Sequence, residues 1–137
     1  DLFGEGNPRI PNFKREGFHN IHVLDSDLVT VDGISLGGIS GCIGSSRRPF
    51  RYTEADFAER VWKIWSQGNN ITVMHDGPSG EENQNGSAVV MQALEESGLT
   101  GMIVRGHCYW ENPLATLRNG IQVLNCDSRI FCLRARH

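Results

Sequence analysis

The sequence predicts a mixed α/β domain in which short strands form one sheet and two helices cover one of its faces. Two amphipathic helical stretches alternate with short runs of β-branched residues, which is the pattern of a βαβαβ unit. A hairpin signal precedes this unit, and further strand-like runs follow it. The chain has 137 residues, which is enough for a hydrophobic core, so we predict a single domain over 1–137.

The amino-terminal part is predicted to be loop followed by strands. Residues 1–19 are rich in Gly, Pro, Asn and charged residues, which favours loop or a short helix around Asn12–Glu16. Strands are predicted at Ile21–Leu24, Leu28–Val31 and Ile34–Ile39. The Asp32-Gly33 pair between the last two is typical of a two-residue hairpin turn, because glycine tolerates positive φ. This part of the sheet is therefore expected to be antiparallel.

The first helix is predicted to follow a Gly/Ser/Arg loop over residues 40–52. Thr53 and Asp56 match the capping pattern in which a hydroxyl precedes an acidic residue by three positions. The apolar stripe of this helix is expected to pack into the core, and it comprises Phe57, Val61, Ile64 and Trp65. Gly68 is a suitable residue to end the helix.

A strand at Ile71–Met74 and a polar loop over residues 76–86 come next. Ser87 is predicted to cap the second helix, which carries Val90, Met91 and Leu94 inward and stops at Gly98. The remaining predicted strands are Met102–Val104, Ile121–Asn125 and Arg129–Leu133, the last two forming a hairpin around Cys126-Asp127-Ser128. The order is hairpin, βαβαβ-like unit, hairpin.

Composition and charge exclude some classes of partner. A formal net charge of −3 gives no electrostatic reason to expect nucleic acid or an anionic membrane. No apolar run approaches the roughly 20 residues that span a bilayer. The first residue, Asp1, is not Met and no signal pattern follows it, so we expect that it is not the translated start. The four cysteines show no C-x-x-C spacing and are expected to be reduced core residues, which favours a cytoplasmic location.

His75 and His107 each follow a β-type run and precede a turn. Side chains just beyond the carboxyl ends of strands point into the ligand crevice of an open α/β sheet. Two imidazoles in such positions indicate a metal site, since neutral imidazole is a common ligand of divalent metals. Asp76 could then accept a hydrogen bond from an imidazole N–H. The alternative is a pair of loop histidines bonded to backbone groups.

Other motifs bear on nucleotide binding, serine hydrolysis and phosphate binding. The glycines from Gly38 to Gly44 match neither nucleotide-binding spacing, and they predict tight turns instead. A serine hydrolase is excluded for want of a G-x-S-x-G elbow. Arg47, Arg48 and Arg51 form a basic cluster that could contact a phosphate, because guanidinium groups bind phosphate oxygens in pairs. A solvated basic loop is the alternative for this cluster.

The histidine segments carry a resemblance to a known family. Residues 72–80, with His-Asp-Gly-Pro at 75–78, resemble the lone-histidine segment of the calcineurin-like metallophosphoesterases, and Gly106-His107-Cys108-Tyr109 resembles their G-H-x-H motif. Gly120–Asn125 is similar to the strand that usually follows, and Asn20–Gly44 to the segment before the lone histidine. The resemblance covers about Gly6 to Leu133 and corresponds to the C-terminal half of the family domain.

The resemblance implies a metallophosphoesterase-like β-sandwich half with a mixed sheet and two helices. It implies that Asn7, His75 and His107 are ligands of one divalent metal (Mn, Fe, Zn or Ni), and that Tyr109 occupies a ligand position of a second. A phenol is a poor ligand for most divalent ions near neutral pH, so the second ion is not expected to bind well. The G-D-x-H and G-D motifs are absent. Pro8 stands where the family has a catalytic histidine.

The sequence therefore predicts a metal-dependent phosphoesterase acting on a small phosphoester or a nucleotide. One alternative is a catalytically impaired relative that serves as a binding or scaffold module, and another is a fragment of an active enzyme. A half-domain would leave a sheet edge and an apolar face uncovered, so we expect either an upstream half or self-association into a homo-oligomer. A membrane partner is not expected.

Overall fold

A computed structural model describes residues 21–134 of the chain. Over this range the protein is a mixed α+β fold with a six-stranded mixed sheet, a two-stranded sheet and two helices. The elements are β1 (Asp27–Val31), β2 (Ile34–Ile39), β3 (Cys42–Ile43), β4 (Arg51–Tyr52), α1 (Glu54–Trp65), β5 (Ile71–Met74), α2 (Ala88–Glu96), β6 (Met102–Arg105), β7 (Leu114–Thr116) and β8 (Gln122–Asn125). The predicted helix around Asn12–Glu16 lies outside the described residues.

The large sheet combines a parallel centre with antiparallel edges. Its strand order is β1-β2-β5-β6-β8-β7. The four central strands are parallel neighbours, whereas β1 pairs with β2 and β7 with β8 in antiparallel fashion. The predicted hairpin between β1 and β2 is confirmed, and its turn residues Asp32 and Gly33 have φ of 49° and 81°. Two successive positive φ values are the mark of a type I′ turn.

Both helices begin at the predicted caps. The Thr53 hydroxyl accepts a hydrogen bond from the backbone N–H of Asp56, and the Ser87 hydroxyl accepts one from Val90. The helices share one face of the sheet, because α1 and α2 contribute to a single core with inward-facing strand residues. That core includes Phe57, Val61, Ile64, Trp65, Val90 and Leu94 from the helices and Ile39, Met74, Ile103 and Val123 from the strands.

The register of β2 distinguishes the two faces of the sheet. A Cβ added at Gly37 would meet the side chain of Ile64 on α1, so this position faces the helices. A Cβ at the next residue, Gly38, would meet Leu24 on the opposite side. Because successive side chains of a strand point to opposite faces, alternate residues of β5, β6 and β8 divide in the same way.

Several predicted elements differ from the structure. Ile21–Leu24 is not a strand; it is irregular backbone, and Leu24 packs against the face opposite the helices. The predicted loop over residues 40–52 contains β3 and β4, which pair in parallel. Arg129–Leu133 is not a strand either, although a turn does follow β8. The partner of β8 in the hairpin is β7, which was not predicted.

The physical reason for the last difference is that both edges of β8 are occupied. One edge bonds to β6 and the other to β7, so no backbone donors remain for a returning strand. The chain after Cys126 instead crosses toward residues 109–111. There the guanidinium of Arg129 donates to the carbonyl oxygens of Trp110 and Glu111 at 2.6 and 3.1 Å.

The described residues contain no helix that is both long enough and apolar enough to cross a membrane.

Candidate metal site at the strand ends

The two predicted histidines meet at the carboxyl ends of β5 and β6. The Nδ1 atom of His107 lies 2.9 Å from the Nε2 atom of His75. The ring centroids are 4.8 Å apart, and the rings stand at 77° to each other. These two strands are adjacent and parallel, which brings their carboxyl ends together. The convergence expected from the strand-end positions is therefore present.

The imidazole pair lies at the margin of a shallow cleft on the sheet face away from the helices. Met74 belongs to the helix-facing core, so His75, the next residue, projects to the other side. The cleft has a volume of about 290 Å³, and its lining includes Val73, Val104 and the segment 126–128. Both histidines are exposed. A ligand can thus approach the pair without unfolding any element.

His107 occupies a strained backbone conformation. Its φ is 73°, in the left-handed region that few residues other than glycine adopt. The N–H of Cys108 donates to the carbonyl oxygen of Gly106 at 3.0 Å, which closes a three-residue γ-turn with His107 at its centre. Such conformations persist only when surrounding contacts enforce them, and they concentrate at functional sites.

Backbone and amide contacts fix the two turns to their strands. The N–H of Gly106 donates to the carbonyl oxygen of His75 at 3.1 Å. The buried Asn125 at the end of β8 donates from Nδ2 to the carbonyl oxygen of Cys108 at 2.7 Å and accepts the N–H of Asp127. The segment Gly120–Asn125, which carries part of the family resemblance, thus ends in a residue that holds the turn after His107.

Asp76 does not contact an imidazole in this arrangement. Its Oδ2 accepts the N–H of Ile43 at 3.1 Å and its Oδ1 accepts the N–H of Gly77 at 2.9 Å. Its Oδ1 is also 3.6 Å from the Nη2 of Arg105. The carboxylate therefore ties β3 and the loop after β5 together, in place of the predicted bond to a histidine N–H.

Tyr109, in the last position of the G-H-x-H-like motif, is directed toward Arg129. Its hydroxyl accepts a hydrogen bond from Arg129 at 2.8 Å, and the guanidinium carbon lies 4.5 Å from the ring centroid. The ring is 59% exposed, so it presents mainly a hydrogen-bonded aromatic surface. This contact competes with any role of the phenol oxygen as a metal ligand.

The arginine cluster begins close to the residue that bonds Asp76. Ile43 ends β3, and the exposed Arg47 and Arg48 follow in a turn where the N–H of Arg48 donates to Ser45 at 3.1 Å. Arg51 lies in β4 and is half-buried. The loop that carries the arginines therefore begins beside the segment that follows β5.

A metal ion would be held first by His75 and His107. Among residues 21–134, no group of three or more His, Cys, Asp and Glu side chains is arranged to hold a metal. The third ligand implied by the resemblance, Asn7, lies outside the described residues. Cys126 lines the same cleft, but burial raises the pKa of its thiol, which disfavours the thiolate form that binds metals.

Arg105 is the principal residue near the site that the sequence analysis missed. Its side chain is fully buried directly between the two histidine segments. The sequence did contain a signal for it. Arg105 lies two positions after the inward-facing Ile103 on β6, so the alternation of side chains places its charge on the core side of the strand. A charge buried in this way requires partners, and those partners could not be identified from sequence.

Comparisons with protein-family models, with curated proteins and with solved structures find no match to this chain.

Proposed function

We propose that this protein is a metal-dependent phosphoesterase that hydrolyses phosphomonoesters or phosphodiesters of small molecules or nucleotides. His75, His107 and Asn7 would hold a divalent ion such as Mn, Fe, Zn or Ni. The observation that carries the proposal is the convergence of two ring nitrogens at the carboxyl ends of adjacent parallel strands. Ligand sites in open α/β sheets form at this edge.

The spacing of the two nitrogens supports a shared ion. Imidazole nitrogens bind zinc at about 2.0–2.1 Å. Two such ligands are about 2.9 Å apart when their bonds meet at a right angle, and about 3.3 Å apart at a tetrahedral angle. The observed 2.9 Å between Nδ1 of His107 and Nε2 of His75 is close to both values, so the pair can share an ion once each ring turns its nitrogen lone pair away from the N···N line and toward a common point.

The remaining chemistry would be divided between the ion and the chain. When bound, a divalent ion polarises a phosphoryl oxygen and lowers the pKa of a bound water. The two histidines bind as neutral imidazoles and orient the site. Arg47, Arg48 and Arg51 would bind phosphate oxygens of substrate or product. The γ-turn and the Asn125 amide would fix the backbone from which the His107 imidazole extends, which limits the backbone reorganisation needed on binding.

We also propose that the fold is half of a metallophosphoesterase sandwich and that the protein is cytoplasmic. The mixed sheet with two helices on one face is compatible with half of a metallophosphoesterase sandwich, in which an upstream half or a second copy would cover the other face. The four cysteines are free but are not the core residues that the sequence predicted, since three are half-buried and Cys132 is exposed. Their reduced state fits a reducing compartment and a cytoplasmic protein.

A second candidate is a catalytically impaired relative that acts as a binding or scaffold module. The engagement of Tyr109 by Arg129 favours it, because the phenol occupies a position where the family has a metal-binding histidine. Pro8 in place of the catalytic histidine favours it as well. This candidate predicts the same fold with no turnover.

The test is metal binding and hydrolysis by the purified chain and its histidine variants. The wild type, loaded with Mn²⁺ or Zn²⁺ and freed of excess metal, should retain about one ion per chain and hydrolyse bis(p-nitrophenyl) phosphate. His75→Ala and His107→Ala should each lose the ion and the activity. The matched control His22→Ala, at an exposed histidine before β1, should retain both.

Two outcomes would contradict the proposal. Wild-type protein that retains no metal after loading would remove the phosphoesterase and favour the scaffold. Activity that survives both histidine substitutions would place the chemistry elsewhere in the chain.

A further inference from the structure

Arg105 is completely buried and bonds both to the loop that follows His75 and to the residues on either side of His107. Its Nη1 donates to the carbonyl oxygens of Pro78 and Asn85 at 3.1 and 2.6 Å. Its Nη2 donates to the carbonyl oxygen of Gly106 and to the Sγ of Cys108 at 2.8 and 3.2 Å. The first two acceptors belong to the loop after His75, and the last two flank His107.

The charge of this arginine is only partly compensated. Its nearest carboxylate is Asp76, with an oxygen 3.6 Å from Nη2, and its Nε has no hydrogen-bond partner among the described residues. The guanidinium also lies over the Trp110 ring, 5.1 Å from the centroid. Burying a charge is costly unless it is paired and bonded. A buried arginine that is held mainly by backbone carbonyls is therefore not explained by a contribution to stability, and it calls for another explanation.

The acceptors of Arg105 explain what the arginine does. The Gly106 carbonyl that it binds is also the acceptor that closes the γ-turn around His107. The carbonyl oxygen of Asn85 is shared in the same way, since it also accepts hydrogen bonds from the Cys108 Sγ and the Trp110 Nε1. One guanidinium thus fixes the strained turn of one histidine to the loop that follows the other.

Resting on the metal site proposed above, we infer that Arg105 is the positioning residue that sets the separation of the His75 and His107 imidazoles and thereby their affinity for a divalent ion. It touches neither the ion nor the substrate. The planar fork of the guanidinium matters because each of its two terminal nitrogens donates to two acceptors, one pair in the loop after His75 and the other beside His107. A lysine ammonium cannot reproduce that geometry.

The experiment measures the affinity for Co²⁺ from its visible absorption in wild type, Arg105→Lys and Arg105→Met. Changing a residue that orients metal ligands typically costs 10–100-fold in metal affinity. We expect about a tenfold loss for Arg105→Lys and a larger loss for Arg105→Met, with an altered cobalt spectrum. Unchanged affinity and spectrum in Arg105→Met would overturn the inference.

Arg60→Met is the matched control. Arg60 is also partly buried, pairs with Asp25 at 2.8 Å, lies over the Tyr52 ring and has an unpartnered Nε. It lies on α1 and contacts neither histidine turn. Its substitution should lower stability without changing the affinity for Co²⁺. An equal loss of affinity in this control would show a general structural effect and would overturn the specific role of Arg105.

A second measurement does not depend on metal. In ¹⁵N-labelled protein at neutral pH, the nitrogen–nitrogen coupling across the His107–His75 hydrogen bond should be present in wild type and Arg60→Met and lost in Arg105→Lys. If wild type binds no Co²⁺, the proposed function fails, but this coupling still decides whether Arg105 positions the pair. Coupling that persists in Arg105→Lys contradicts the inference.

A third measurement needs no variant, in case the substitutions prevent folding. A guanidinium held by four acceptors rotates slowly, so the Nη protons of Arg105 should give separate signals in the wild-type spectrum. A single averaged signal would show that the fork is not fixed, and the inference would then be wrong.

Discussion

The two faces of the large sheet differ although the same strands form both. On the helix-covered face, Ile103 and Val123 are fully buried. On the opposite face, Ile34, Val73 and Leu114 are 41%, 42% and 43% exposed. The helices and one set of alternate residues therefore supply the core, whereas several apolar residues of the other set are exposed, among them Val73, which lines the cleft beside the histidine pair. Stability and the candidate chemistry are thus assigned to different residues of the same strands.

The largest expected effect is on stability, and it tests the comparison directly. Ile103→Ala removes a fully buried side chain between the sheet and the helices and should lower the free energy of unfolding by about 2–5 kcal/mol. Val73→Ala on the other face should change it by less than about 1 kcal/mol. Urea denaturation followed by circular dichroism measures both values. Equal losses would mean that the second face is covered in solution.

The next largest effect is expected on the rates of hydrolysis at the histidine pair, at the carboxyl ends of the strands that form both faces. The proposed phosphoesterase has Pro8 where the resemblance to metallophosphoesterases would place a catalytic histidine, so we expect protonation of the leaving group to be weak. Removing a general acid typically costs 10²–10⁴-fold, so aryl phosphates, whose leaving groups need little protonation, should react about 100-fold faster than alkyl phosphates. Initial rates on p-nitrophenyl phosphate and glycerol phosphate measure the ratio. Equal rates would count against the absence of an acid.

A smaller effect is expected from the arginine loop. Replacing Arg47, Arg48 and Arg51 together by Ala should raise KM for a phosphoester about tenfold with little change in kcat, because guanidinium contacts to a phosphate contribute modest uniform binding. Arg118→Ala, an exposed arginine before β8, is the control and should leave KM unchanged. Unaltered KM in the triple variant would show that the cluster is a solvated basic loop.

The smallest effect concerns the thiol in the cleft. Because burial raises the pKa of Cys126, its neutral form is favoured in the folded state. The resulting contribution to stability is present at neutral pH and is lost as pH rises through the raised pKa. Iodoacetamide should therefore modify Cys126 more slowly than the exposed Cys132, as followed by mass spectrometry of peptides. Faster labelling of Cys126 at pH 8 would contradict this.

Local signals in the sequence were sufficient for the centre of the fold. Thr53 and Ser87 marked the starts of both helices, and β-branched runs marked β5 and β6. The edges were not predictable in the same way. The strand Leu114–Thr116 has only three residues, and whether it or Arg129–Leu133 pairs with β8 depends on competition for one edge, which no local pattern encodes.

The candidate site divides similarly. The convergence of His75 and His107 follows from the general position of strand ends in a parallel sheet. The partners of Asp76 do not follow, since Ile43 lies 33 positions earlier and reaches it only through the folded chain. Arg105 could be recognised as a buried charge from alternation, but its carbonyl partners depend on the shape of two loops.

The backbone of His107 has a consequence for how this protein would evolve. A residue with a Cβ in the left-handed region costs about 1–2 kcal/mol, and glycine would avoid that strain. Selection for heat resistance alone would favour glycine at position 107, and the imidazole that contacts His75 would be lost. Retention of histidine there would reveal a pressure other than thermal robustness.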